Sequence, residues 1–197
     1  MIDALKKDLK PVRPLRPAGH YAIGAIVFAV AVLVAWLELV DQAGWREIGP
    51  AQWLPLGAGL IVALAASAWA AAQWLSPTGK SSLLLSALGI AVALAGVVSA
   101  SRAGEFLFVP TAACFSAASV LALFTSAFCL LIFRRAAPQR RERVAVAAGL
   151  FSGLLGFLLV QLHCPIRDPG HMLLGHAAVP FAWAVASYWL VRLFARP

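Results

Sequence analysis

Charge is what this sequence lacks. Lys, Arg, Asp and Glu together make up 12% of the 197 residues, and only eight positions are acidic. Soluble domains carry a charged fraction of about 25%. With 62% of the residues hydrophobic, a water-soluble fold of this length has too few polar groups to cover its surface, so that class is excluded. Other absences narrow the chemistry. The chain has no Gly-rich phosphate loop, no serine-triad pattern and no Cys-x-x-Cys pair, which removes the usual sequence support for catalysis. No long apolar run carries a charged residue at its centre, as a proton relay or ion pathway would need. The chain is read as a non-enzyme without a cofactor. A formal charge of +8 does not indicate direct nucleic-acid binding either, because the basic residues cluster at the ends of apolar runs, where they report membrane topology.

What the sequence does have is six apolar runs, at about 21–40, 54–75, 82–100, 112–133, 144–163 and 172–194. Each approaches or exceeds the roughly 20 residues that cross a bilayer as a helix. Unpaired backbone is not tolerated in hydrocarbon, so each run should be helical throughout. The expected fold is all-α, a polytopic bundle of six transmembrane helices in the lipid bilayer. Residues 1–20 are expected to form a cytoplasmic tail and residues 21–197 the transmembrane domain. The first run is too long for a signal-peptide core of about 7–15 residues, and no A-x-A site follows, so it reads as an uncleaved first span.

Orientation follows from the basic residues. Of the 16 Lys and Arg, only Arg46, Arg102 and Arg167 fall on one side of such a bundle; the other thirteen fall on the opposite side. The positive-inside rule then places both termini in the cytoplasm. The segment "HCPIRDPGH" (163–171) and Cys114, at the start of the fourth run, should face outward. Cys129 is 15 residues further along the same run, about 22 Å deeper at 1.5 Å per residue, and cannot meet the other two cysteines.

Thiols outside the inner membrane can be kept oxidised. Cys114 opens the fourth helix and Cys164 closes the fifth, so their Cα atoms can come within the roughly 4.4–6.8 Å of a disulfide. Two readings stand side by side: a disulfide or redox pair, and two small residues buried near helix ends. His163, Cys164, His171 and His176 also suggest a metal cluster. Against it, His171 and His176 are five residues apart, about 140° around an α-helix, and share no face. No metal ligand is assigned on this basis. His171 and His176 are kept as candidates, and a hydrogen bond to a neighbouring helix is the favoured role. His176 should face the bundle interior. Pro165 and Pro169 cannot continue the fifth helix. Gly149, Gly153 and Gly156 give that helix a small-residue face for close packing.

The N-terminus, "MIDALKKDLKPVRPLRP", differs from the rest. Ile2, Leu5 and Leu9 share one helical face, Asp3 can cap it, and Pro11, Pro14 and Pro17 favour extended backbone toward the membrane. A helix of about eight residues is unstable alone in water, so it needs a surface. The anionic leaflet and a groove on a cytoplasmic protein both suit it.

The tail "IDALKKDLKPVRPLRP", the cysteine at the start of the fourth run and "LHCPIRDPGHMLLGH" (162–176 with its flanking Leu) together resemble the negative regulators of sigma F, the NrsF family of six-span inner-membrane anti-sigma factors of proteobacteria. The resemblance covers essentially the whole chain. It implies a regulator that holds an extracytoplasmic-function sigma factor at the membrane. It places the sigma-factor contact on Asp8, Leu9, Pro11 and Val12, with Leu5 as an anchor, and a response to oxidative or heavy-metal stress on Cys114 and Cys164. Cys129 has no place in that pattern. The stretch after Cys114, "FSAASVLAL", is more alanine-rich than the family pattern. Two alternatives are a membrane thiol oxidoreductase or metal-handling protein using Cys114, Cys164, His171 and His176, and an assembly subunit whose tail binds lipid. Oligomeric state is left open.

Overall fold

The computed structural model describes residues 17–47, 49–75, 81–102, 104–133 and 141–194, and among these residues there are helices and no strands. In chain order they are α1 (Ala18–Leu39), the short α2 (Ala43–Glu47), α3 (Pro50–Leu75), α4 (Leu84–Ala100), α5 (Phe108–Phe133), α6 (Arg141–His163), α7 (Pro169–His171), a π-helical turn (Met172–Ala177) and α8 (Val179–Phe194). The tail residues Leu5, Asp8, Leu9, Pro11 and Val12 lie outside the described residues.

Five segments are long and apolar enough to cross a membrane: Gly19–Leu39, Pro50–Leu75, Phe108–Phe133, Arg141–His163 and Pro169–Leu193. The third expected span is shorter. α4 has 17 residues, about 26 Å of helix against a hydrocarbon core of about 30 Å. Proline lies at the early starts of two helices, α3 and α5, which begin before the apolar runs suggest. Pro50 opens α3 and Pro110 falls in the first turn of α5, where an N–H would have no intrahelical partner and proline costs nothing. α2 has no counterpart among the expected elements.

α6 is the axis of the bundle. In its apolar window 83% of the residues are buried, against 11% for α1. Phe151, Leu154, Leu155 and Leu159 are almost wholly enclosed. The outside of the bundle is apolar as well, with Val27, Val34, Phe124, Leu130, Val185 and Trp189 exposed. In water so large an apolar surface would drive association; against lipid tails it is the matching surface.

Glycine sets the closest approaches. A Cβ on Gly59 would lie 2.4 Å from the backbone N of Ala93, so α3 and α4 pack backbone to backbone, a contact the sequence reading did not single out. The small-residue face expected on α6 is present but serves two neighbours. Gly149 and Gly153 admit α8, at Trp183 and Pro180, whereas Gly156 admits α5, where its Cβ would lie 2.4 Å from the Ala118 carbonyl oxygen. This last contact matters for the site, because Cys114 lies one turn before Ala118.

Candidate thiol–imidazole site

The end of α6, the start of α5 and the π turn converge at one end of the bundle. α6 stops at His163, and the backbone N–H of Cys164 still bonds the Val160 carbonyl at 2.8 Å, which sets the Cys164 side chain at the last helical position. Pro165 then prevents continuation. The chain restarts at Asp168, whose carboxylate accepts from the His171 backbone N–H at 2.8 Å, a helix-capping bond. Both Asp168 and Arg167 are buried. Arg167 donates to the Gly44 carbonyl of α2, and its own carbonyl accepts from the Arg102 backbone N–H at 2.9 Å. His163 meets the Asp41 carbonyl at 2.8 Å. The segment around α2 therefore clasps the end of α6, and a Cβ on Gly44 would lie 2.5 Å from the Gln161 carbonyl.

Within this frame Cys114 Sγ lies 3.6 Å from Cys164 Sγ, across 50 residues of sequence. Both are free thiols. Cys164 Sγ lies 3.2 Å from His171 Nε2, and His171 Nδ1 lies 3.0 Å from Thr111 Oγ1 of α5. His176 Nδ1 lies 2.7 Å from Gln161 Oε1 of α6. The two imidazole centroids are 5.0 Å apart and nearly perpendicular. One ligand-type atom from each of Cys114, Cys164, His171 and His176 lies within 4.8 Å of all the others. Cys164, His171 and His176 are buried and Cys114 is half-buried.

At α-helical pitch His171 and His176 would share no face. The π turn from Met172 to Ala177 closes bonds from i to i+5 instead of i to i+4. Residues five apart, such as His171 and His176, then fall on one side. Single π turns of this kind recur at functional sites.

The Cys164 thiol is held below its ordinary range. The main cause is the hydrogen bond from Cys114; burial opposes it, and the Ile166 backbone N–H adds to the stabilisation of the thiolate. The chemistry open to such a pair is that of a nucleophilic, oxidisable or metal-ligating sulfur. Cys129 stays apart from it, 2% exposed in the apolar core.

The family described as negative regulator of sigma F matches residues 5–196. The chain belongs to the NrsF family. No curated protein and no solved structure matches it. The family description makes this NrsF member a negative regulator of a sigma factor, and the sulfur pair joins the two segments on which the sequence resemblance rests within the described residues. Sequence reasoning passed over Thr111, Gln161, Gly44 and the role of Arg167. Thr111 and Gln161 left a signal: each stands three residues before a site cysteine, one helical turn back on the same face.

Proposed function

We propose that this chain is an inner-membrane anti-sigma factor with both termini in the cytoplasm. Its N-terminal segment, through Leu5, Asp8, Leu9, Pro11 and Val12, holds an extracytoplasmic-function sigma factor away from RNA polymerase. Cys114 and Cys164 face the outside and receive the oxidative or heavy-metal stress that releases the partner. The observation that supports this most is the meeting of the two thiols at 3.6 Å in a chain whose family is named for negative regulation of sigma F. The amphipathic face of Ile2, Leu5 and Leu9 gives the tail a way to dock in a protein groove.

The test is co-purification from membranes with and without residues 1–17, with the partner identified by mass spectrometry. Full-length protein should bring down a sigma factor, and the truncated chain should not. Leu5→Asp or Leu9→Asp should free the partner constitutively; retention of the partner by these variants would show that the tail is not the contact.

A second reading, a membrane thiol oxidoreductase, draws on the depressed Cys164 thiol beside a second thiol. Catalytic turnover of a dithiol or disulfide substrate by the purified protein would favour it over the first.

A further inference from the structure

We propose that Cys114, Cys164, His171 and His176 form a closed four-ligand site for a divalent cation of the zinc class, with both imidazoles bound through Nε2. The inference rests on the reading of this cluster as the sensing end, and it assigns the histidines, the π turn and two supporting oxygens to that role.

The hydrogen bonds fix the ligand atoms. Thr111 Oγ1 donates its single hydrogen to the Leu107 carbonyl at 2.7 Å, so toward His171 Nδ1 it can only accept. His171 therefore carries its proton on Nδ1, and its Nε2 lone pair points at Cys164 Sγ, 3.2 Å away. The carbonyl Oε1 of Gln161 likewise accepts from His176 Nδ1. His176 Nε2 is left as a lone pair, wholly buried and without a hydrogen-bond partner among the described residues. A buried orphan acceptor of this kind is costly unless something occupies it. Metal-bound histidines show the same pattern, the far N–H held by an oxygen and the near nitrogen on the metal.

The distances suit one ion. Zn–S bonds of about 2.3 Å and Zn–N bonds of about 2.0–2.1 Å imply tetrahedral edges of about 3.8 Å between sulfurs and about 3.6 Å between sulfur and nitrogen. The sulfurs are 3.6 Å apart and Cys164 Sγ is 3.2 Å from His171 Nε2. All four ligand atoms fit inside a 4.8 Å limit, so closure needs only side-chain adjustment. Charge balances too. Binding releases to water the proton that the sulfur pair still holds, and two thiolates with two neutral imidazoles around a dication have no net charge. A neutral centre tolerates burial that isolated thiolates would not. Two sulfurs and two nitrogens fill a tetrahedral shell and leave no open position for substrate, which marks a sensing or structural centre rather than a hydrolytic one.

The test uses full-length reduced protein in nanodiscs, titrated with Co2+ and then displaced by Zn2+. One equivalent of Co2+ should give a tetrahedral d–d band with a thiolate charge-transfer band. Cys114→Ser, Cys164→Ser, His171→Asn and His176→Asn should each weaken binding at least about tenfold. Gln161→Leu and Thr111→Val, which touch no metal, should weaken it by about 10–100-fold. Should the histidine variants fail to fold, X-ray absorption of the zinc-loaded wild type counts the neighbours directly: two sulfur and two nitrogen supports the site. No Co2+ binding, a sulfur-only shell, or histidine variants with unchanged affinity overturns it. Sigma-factor retention is scored separately on the same preparations. Protein that binds Co2+ but retains no sigma factor leaves the site standing and removes the anti-sigma reading; the reverse result removes the site alone.

Discussion

Two cysteines on α5 have opposite surroundings. Cys129 is 2% exposed and belongs to an apolar core that includes Leu64 and Phe151. Cys114, on the same helix, is half-buried and faces a second thiol at 3.6 Å, with two imidazoles just beyond it. Burial alone makes sulfur an ordinary small hydrophobe. Reactivity comes from polar neighbours that stabilise its charge or share its proton. Three cysteines in one bundle therefore divide into a structural one and a chemical pair, and the division follows the company each keeps.

The strongest way to break that division is a direct exchange of roles. A Cys114→Ser/Cys164→Ser double variant should lose stress-induced release of the sigma factor, measured with a sigma-dependent reporter, while inserting normally. Cys129→Ser should respond like the wild type. An induction curve left intact in the double variant, or lost in Cys129→Ser, would erase the contrast.

A smaller effect is expected at the contact that brings the pair together. A side chain at position 156 has no room beside the Ala118 carbonyl, so Gly156→Leu should cost about 1–3 kcal/mol through overpacking. It should lower the melting temperature in detergent and reduce the yield of a short bifunctional thiol cross-link between Cys114 and Cys164. An unchanged yield would mean that α5 and α6 are positioned by other contacts.

The mildest distinction is in titration. The Cys164 thiolate is favoured, so its rate of alkylation by a small reagent should reach half its maximum below the ordinary thiol pKa of about 8.5. Cys114→Ala removes the hydrogen bond that contributes most, and the midpoint should move upward. Cys129 should react only when the protein unfolds. A Cys164 midpoint at or above the ordinary value would remove the electrostatic half of the comparison.

Much of this architecture was readable from residue order, and the limits have physical causes. Long apolar runs located the helices because hydrocarbon admits little else. Their ends were less legible, since Pro50 and Pro110 look like breakers until they are recognised as first-turn residues. The sulfur pair was accessible as an alternative, because Cys114 and Cys164 sit at facing ends of consecutive helices. The histidine pair was not. Leu173 and Leu174 give the segment no pattern that distinguishes a π turn from α pitch, and the projection at 100° per residue separated His171 from His176. A polar residue near a span end ordinarily reaches water, so position in the sequence does not single out Gln161 or Thr111; here Gln161 is wholly enclosed and Thr111 nearly so. Residues 1–16, where the proposed partner contact falls, lie beyond the described structure.

The wide turn at 172–177 has a mechanical corollary. It is continuous with α8, and α8 lies against Gly149 and Gly153 with Pro180 and Trp183 in direct apposition. Rewinding that turn to ordinary pitch would shift α8 by one register, about 100° of rotation and 1.5 Å of travel. Neither Pro180 nor Trp183 could keep its seat on α6 through such a twist. Whatever grips the two imidazoles thus also locks the gearing of the last helix along its whole length.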